Sequence, residues 1–223
     1  MGAMAQPNKL TVSWKEETRA KSGWYKATIR FPQFSGGSMV ARAANSNIAS
    51  ASRKARQVFI SDVIEGGKPR YQNELALSYD VGIASRGLVS VMATTYADNA
   101  GAHPNTFYKG STFGIVQGVA KQLKIDDLLS LAKGSKMILQ AMILERLKSM
   151  EAQWVLDGTV KELNAANWNS FLVTPGGMTW IFQPYEMGPY AQGEFTVKFL
   201  WADIGKVLNP NGPLKGLLPS PIR

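Results

Sequence analysis

The residues best suited to chemistry are few, and most of them fall in two segments of the chain. His103 is the only histidine, and it precedes Pro104 in a predicted loop. One histidine allows a Ser-His-Asp triad or a single general base, but it excludes a metal site with several histidine ligands. A histidine held by its neighbours in a tight turn is the commoner case, so the sequence favours a structural role for His103.

The densest group of aromatic and polar residues is the run Pro184–Gly193, which reads PYEMGPYAQG. Its two Pro-Tyr pairs predict an extended, kinked connection whose rings pack together. One interpretation is a rigid corner that joins two strands. The other is a groove wall in which Tyr185, Glu186 and Tyr190 contact a sugar or peptide. Together with His103, these three residues are the predicted ligand-binding residues.

Other kinds of site are poorly represented. The sequence has no P-loop, HExxH, GxSxG or GxGxxG motif and no cysteine, so we predict no catalytic residue, no metal and no cofactor. The adjacent Asp126 and Asp127 resemble acids of a helix N-terminus more than a catalytic dyad. An alternative remains open, in which Glu186 and Asp98 act with His103 in a carbohydrate- or peptidoglycan-modifying enzyme.

The elements that must position these residues are strands and two long helices. Alternating and β-rich segments predict strands at Leu10–Glu16, Tyr25–Phe31, Glu74–Ile83, Leu88–Tyr96, Asn105–Val116, Asn169–Val173, Met178–Gln183 and Phe195–Phe199. Apolar residues at helical spacing predict one helix over Met39–Ser61, with Ala44, Ile48, Ala51, Ala55 and Phe59 on its buried face. The cluster Arg53, Lys54 and Arg56 should flank or oppose that face.

A second helix is predicted over Gly134–Trp154, with the stripe Leu139, Ile143, Leu147, Met150 and Trp154, and a short final helix over Trp201–Leu208. This pattern predicts an α+β fold, with antiparallel sheets on which the two main helices pack. We place an N-terminal α+β subdomain at 10–116 and a C-terminal one at 117–208. Residues 1–9 are interpreted as a tag or disordered, and 209–223 as a loosely ordered tail.

Composition limits the partners that the protein can have. The chain of 223 residues carries a net charge of +9, which favours anionic partners, but it has no nucleic-acid-reading motif and no long run of basic residues. No segment is apolar for long enough to span a bilayer. The first residues, MGAMA, resemble a cloning remnant. We therefore expect membrane contact only through an N-terminal anchor outside this sequence, and we do not expect nucleic-acid binding.

Several runs resemble a known pair of families. Gly101-Ala102-His103-Pro104, Leu123–Leu129, Phe182–Glu186 and Pro189–Gly193 resemble the bacterial extracytoplasmic domain-of-unknown-function families numbered 4163 and 3298, which occur in tandem. The upstream run Ile29–Phe34, followed by a helix with Asn45 and Ile48, is similar to the start of the first family. Ala100 and Leu129 depart from the usual pattern.

The resemblance implies a periplasmic or cell-surface α+β domain of the kind found in anti-sigma factors and beside peptidoglycan deacetylases. It supplies no catalytic residues. Some such domains recognise lysozyme, but a basic chain is a poor receptor for that basic protein. The predicted function is therefore a non-catalytic envelope domain that binds or senses a cell-wall component or a protein partner. In a third interpretation, the His103 loop and the Pro184–Gly193 run form a hinge between the subdomains.

Overall fold

A six-stranded sheet forms the larger part of the fold. The computed structural model describes residues 9–99, 101, 103–132 and 134–218. The strands of this sheet, which neighbour one another in chain order, are β1 (Thr11–Lys21), β2 (Tyr25–Ser35), β3 (Asn73–Ala84), β4 (Leu88–Asp98), β5 (Asn105–Val116) and β6 (Val119–Gln122). The predicted N-terminal hairpin and the β3–β4 pair are confirmed, whereas β6 was not predicted.

One strand pair departs from the antiparallel pattern. β2 and β3 are parallel over Tyr25–Ile29 and Asn73–Leu77. A parallel pair needs a crossover connection, and the helix α1 (Met39–Glu65) supplies it. The fold class is α+β, with mainly antiparallel sheets and a few helices, as predicted.

The buried face of α1 differs from the predicted stripe. Ala44, Ile48 and Phe59 are buried as expected, but Ala51 is exposed. Ser52 and Arg56 are buried instead, so the prediction that Arg56 flanks or opposes the core face is wrong. Both polar residues are buried because they have partners: the Ser52 hydroxyl lies 3.0 Å from the Tyr79 hydroxyl, and Arg56 Nη1 donates to Glu17 Oε2 at 2.7 Å.

A smaller antiparallel sheet packs against the larger one. Its strands are β7 (Phe171–Thr174), β8 (Gly177–Phe182) and β9 (Phe195–Leu200). The β7 backbone crosses the large sheet at two glycines, because a Cβ on Gly82 would lie 2.3 Å from Val173 O and one on Gly110 would lie 2.2 Å from Phe171 O. Ser90 Oγ accepts a hydrogen bond from Val173 N at 2.9 Å. The two sheets therefore meet backbone to backbone.

Helices cover the small sheet and enclose a hydrophobic core with it. They are α2 (Ser135–Ser149), α3 (Gln153–Leu156), α4 (Ala165–Asn169) and α5 (Trp201–Ile204). Leu139, Ile143 and Leu147 are fully buried, as the predicted stripe requires. Met150 is 41% exposed and the helix ends there, because Glu151 takes a positive φ of 60°. The single predicted helix over Gly134–Trp154 is therefore two helices.

The remaining predictions fall near the chain ends and around the acidic pair. The final helix is α5 followed by one 3₁₀ turn at Gly205–Val207, and Leu214 in the segment that follows is buried. Asp126 and Asp127 lie in another 3₁₀ turn and pair with different lysines, Lys136 and Lys121. Residues 1–8, Ala100, Ala102, Lys133 and 219–223 are outside the described part of the chain. In that part, no helix is both long and apolar enough to cross a bilayer.

Candidate functional site

Three aromatic rings from two distant parts of the sequence form a cluster. His103 stacks on Tyr190 with 4.3 Å between ring centroids, and Tyr185 lies 5.4 Å from Tyr190. Tyr190 Oη donates to Pro104 O at 3.2 Å, and His103 Nδ1 lies 3.0 Å from the same oxygen. We call His103, Tyr185 and Tyr190 the ring cluster. It contains three of the four predicted ligand-binding residues.

The loop after β8 holds two of these rings, and a side-chain amide fixes it to the large sheet. Gln183 Nε2 donates to Tyr108 O at 2.6 Å, while Gln183 Oε1 accepts from Tyr108 N at 2.9 Å. The Gln183 amide thus makes the two backbone hydrogen bonds that a neighbouring strand would make at the edge of β5. At the other end of the loop, Gln192 Nε2 donates to Glu151 O at 2.9 Å. The loop is therefore rigidly held at both ends, which is how proteins often present binding residues.

Tyr185 is held in an unfavourable backbone conformation. Its φ is 69°, in the left-handed region that costs a non-glycine residue roughly 1–2 kcal/mol. Its side chain is nevertheless 58% exposed, so burial of the ring does not repay the strain. Strain of this kind concentrates at ligand clamps and other functional sites.

Glu186 points into its own loop. Its Oε2 accepts a hydrogen bond from Gln183 N at 2.7 Å. Burial raises the pKa of Glu186, and the Gln183 N–H and the Asn167 side chain oppose this rise. Asn167 is almost fully buried, and its Nδ2 makes no hydrogen bond of ordinary geometry with any described residue. The Glu186 carboxyl therefore helps to shape the loop that carries Tyr185.

A further tyrosine lies beside the loop. Burial raises the pKa of Tyr108, and the Glu194 carboxylate adds to the rise through its charge and a hydrogen bond. Sequence reasoning did not select Tyr108, Glu194 or Gln183. Gln183 stands directly before the Pro-Tyr-Glu run, but no sequence pattern shows that it bonds to a strand 75 residues earlier.

His103 and Glu186, which the enzymatic alternative combines with Asp98, are hydrogen-bonded in separate segments of the chain. Among the described residues, no hydrogen bond or ion pair joins these two side chains, since each is bonded within its own segment. The described part of the chain also holds no group of three or more His, Cys, Asp or Glu side chains suited to a metal ion. What the geometry offers is a preformed aromatic surface next to a half-buried carboxyl.

Fold and site together define an α+β domain with a rigid, exposed ring cluster. Residues 126–202 match the model of the family described as "Protein of unknown function (DUF3298)". The match contains α2, the small sheet, Tyr185 and Tyr190. The predicted resemblance to family 3298 is thus confirmed, whereas the tandem with family 4163 and the links to anti-sigma factors and deacetylases have no support from these comparisons and stay predictions.

Two solved structures share the fold across nearly the whole chain. One is a DUF3298 family member from Bacteroides fragilis, with a TM-score of 0.66, 13% identity and coverage of 94% of this chain and 98% of the other. The second is a DUF3298 family protein from Pseudomonas aeruginosa, with a TM-score of 0.62, 16% identity and coverage of 96% and 97%. At these identities the similarity shows the fold alone.

Curated relatives are found in mycobacteria. The immunogenic proteins MPT64 of Mycobacterium tuberculosis and MPB64 of Mycobacterium bovis are each 27% identical to this chain over 125 residues. The match covers 56% of this chain and 54% of each relative, so the chain spans about half the length of the curated relatives that it matches.

Proposed function

We propose that this protein is a non-catalytic, extracytoplasmic domain that binds a cell-wall component or an envelope protein through the ring cluster. The observation that carries the proposal is the strained, exposed Tyr185 beside the stacked His103 and Tyr190. A ring that is more than half exposed at positive φ contributes little to stability, so a role in binding accounts for it better than a role in folding.

Exposed aromatic faces suit two kinds of ligand. Sugar rings and extended peptides both pack apolar faces on tyrosine while their polar groups bond to nearby side chains. Tyr108 and Glu194, which interact with each other beside the loop, are candidates for such polar groups. The name of the mycobacterial relatives, immunogenic proteins, is compatible with a location outside the cell. The net charge of +9 argues against lysozyme as the partner.

The test compares Tyr185→Gly with the unmodified protein. The substitution removes the ring and relieves the positive φ, so we expect an unchanged or higher melting temperature. If the ring cluster binds a cell-wall component, the retention of Tyr185→Gly on insoluble peptidoglycan should fall about tenfold or more. If the partner is an envelope protein, the retention of the variant on that protein should fall by a similar factor. Phe107→Ala is the matched control, because Phe107 is 53% exposed on β5 and faces away from Tyr108.

Salt and stability decide between the outcomes. Binding that survives physiological salt and is lost in Tyr185→Gly supports the proposal, whereas binding that disappears with salt reflects the basic surface alone. A lower melting temperature in Tyr185→Gly with unchanged binding would show that Tyr185 is structural. It would favour the rigid-corner or hinge interpretation of the loop.

An enzymatic role for the same loop has one observation in its favour. The raised pKa of Glu186 is a property that general acids require. Release of soluble sugar from peptidoglycan by the protein, abolished in Glu186→Gln, would replace the binding proposal with this one.

A further inference from the structure

An exposed group of apolar side chains lies at the start of α2, outside the ring cluster and its loop. Leu131 precedes the helix and is 98% exposed, while Met137 and Ile138 in the first helical turn are 74% and 52% exposed. Leu131 and Met137 line one surface cavity of about 330 Å³, so they share one part of the surface. We call these three residues the apolar patch. Large apolar side chains grouped on a surface mark sites of contact with a protein or a membrane.

The sequence of α2 indicates that its outer face is covered by a partner. From Met137 to Leu144 every residue except Gln140 is apolar. Leu139 and Ile143 are fully buried in the core beneath the helix. A helix that is apolar on all sides is normally buried on all sides. Met137 and its neighbour in the patch nevertheless stay exposed, so removing them from water requires a partner.

Lysine side chains surround the apolar patch. Lys136 lines the same cavity as Leu131 and Met137. Lys124 stands directly before the 3₁₀ turn that leads towards Leu131. Lys206 lies in the segment whose next residue accepts a hydrogen bond, at 2.9 Å, from the backbone N–H that precedes Leu131. All three lysines are exposed.

The adjacent acids neutralise only part of this charge. Asp126 binds Lys136 at 2.8 Å, and Asp127 binds a fourth lysine, Lys121 of β6, at 2.7 Å. Four lysines and two aspartates leave an excess of two positive charges among these described residues. A second copy of the chain would bring the same lysines against each other, whereas an anionic surface attracts them. Charge therefore favours an anionic partner over self-association.

We propose that the apolar patch inserts into the surface of an anionic lipid bilayer. The three apolar side chains enter the boundary between headgroups and acyl chains, and the lysines contact the lipid phosphates. Binding of this kind gains free energy both from the buried apolar area and from the attraction to anionic lipids. The contact is peripheral and differs from an N-terminal anchor, the only membrane contact expected from the sequence. It does not depend on the ring cluster, so either proposal can fail without the other.

The experiment is sedimentation of the whole chain with vesicles at physiological salt. Vesicles of phosphatidylcholine alone are compared with vesicles of phosphatidylcholine and phosphatidylglycerol in equal parts. We expect the anionic vesicles to bind the protein about tenfold more tightly or better, because the excess lysine charges act close to the surface. Lys124→Gln should weaken binding to the anionic vesicles and leave binding to the neutral ones unchanged.

Leu131→Ser tests the apolar part of the contact. It should weaken binding to the anionic vesicles about tenfold. Its melting temperature should not change, because the Leu131 side chain is almost wholly in solvent. Leu156→Ser is the matched control, since Leu156 is 57% exposed on α3, which follows the other end of α2. Met137→Ser repeats the test at a second position of the patch.

Three results would overturn the proposal. One is the absence of binding to the anionic vesicles. Another is equal binding by Leu131→Ser, Met137→Ser and the unmodified protein, which would assign the binding to the basic surface alone. The third, measured by gel filtration with light scattering, is a dimer that dissociates in Leu131→Ser, which would assign the apolar patch to a second copy of the chain.

Discussion

At the scale of single residues, the candidate site depends on side chains whose surroundings change their ordinary behaviour. Glu186 is half-buried and accepts a backbone N–H from its own loop, and burial raises its pKa. Tyr185 keeps its ring in solvent at a strained backbone angle. The two residues are adjacent in the chain and belong to the same loop.

The raised pKa of Glu186 predicts a pH dependence of stability. A carboxyl whose pKa is higher in the folded than in the unfolded state stabilises the fold below its unfolded pKa, and this contribution is lost as pH rises through the folded pKa. Glu186→Gln keeps an acceptor for Gln183 N–H but never ionises. Its melting temperature relative to the unmodified protein should therefore rise between pH 4 and pH 7, roughly the range above the ordinary glutamate pKa.

Thermal unfolding followed by circular dichroism at the two pH values checks this expectation. Glu162→Gln, at an exposed position, controls for the loss of one negative charge. A difference between Glu186→Gln and the unmodified protein that stays constant, or falls as pH rises, would contradict the assigned direction of the pKa shift.

At the scale of elements, two side-chain amides form hydrogen bonds with strand backbone groups that no neighbouring strand pairs with. Asn45 of α1 accepts from Phe34 N and donates to Phe34 O, each at 2.8 Å, and so attaches the helix to β2. Gln183 bonds to Tyr108 of β5 in the same way and attaches the loop of the ring cluster. In both cases an amide satisfies a backbone N–H and C=O that no strand reaches, which removes the cost of leaving them unpaired.

The substitution Asn45→Asp tests this arrangement with almost no change of shape. The carboxylate still accepts from Phe34 N, but its second oxygen faces the Phe34 carbonyl where the amide donated. We expect a loss of about 1–3 kcal/mol in the free energy of unfolding at neutral pH, measured with urea. Asn47→Asp, two residues further along the same helix and exposed, adds the same charge and should have little effect. Equal losses in both variants would show that charge, and not the amide bond, is responsible.

At the scale of the whole molecule, the two sheets are joined by close backbone contact. Gly110 and Gly82 let the β7 backbone lie directly on the large sheet, and the Ser90 hydroxyl bonds to Val173 N between them. Ser90 and the neighbouring Thr112 hydroxyl, 2.7 Å apart, are fully buried at this crossing. The position of the small sheet, and with it the Tyr185–Tyr190 loop, depends on these contacts.

Gly110→Ala should therefore separate the sheets. A Cβ at this position would lie 2.2 Å from Phe171 O and 2.5 Å from Phe171 N, and the backbone atoms that it meets cannot rotate away. We expect the free energy of unfolding to fall by about 3 kcal/mol. Gly87→Ala is the control, since a Cβ there meets nothing within 4 Å. Chemical denaturation of both variants measures the difference, and equal stability would mean that the sheets do not meet as described.

Most of the strands, and the segments that form the ring cluster, could be predicted from local sequence patterns. Alternation over Glu74–Ile83 predicted β3, and the apolar spacing of Leu139, Ile143 and Leu147 predicted α2. Both predictions were possible because the burial pattern of a strand or helix follows from residues that are close together in the sequence. The two Pro-Tyr pairs and the lone His103 marked the segments that form the ring cluster. Local composition cannot show which face of a helix accepts a polar residue, so Ser52 and Arg56 were missed in the core.

How these parts combine follows from contacts between residues that are far apart in the sequence. His103 and Tyr190 are 87 residues apart in the sequence, yet their rings stack because Gln183 attaches one loop to the strand that follows the other. The parallel pairing of β2 with β3 and the crossing of β7 at Gly110 likewise depend on contacts between distant residues. The physical reason is that a hydrogen bond or steric limit acts between neighbours in space, whereas periodicity records only neighbours along the chain.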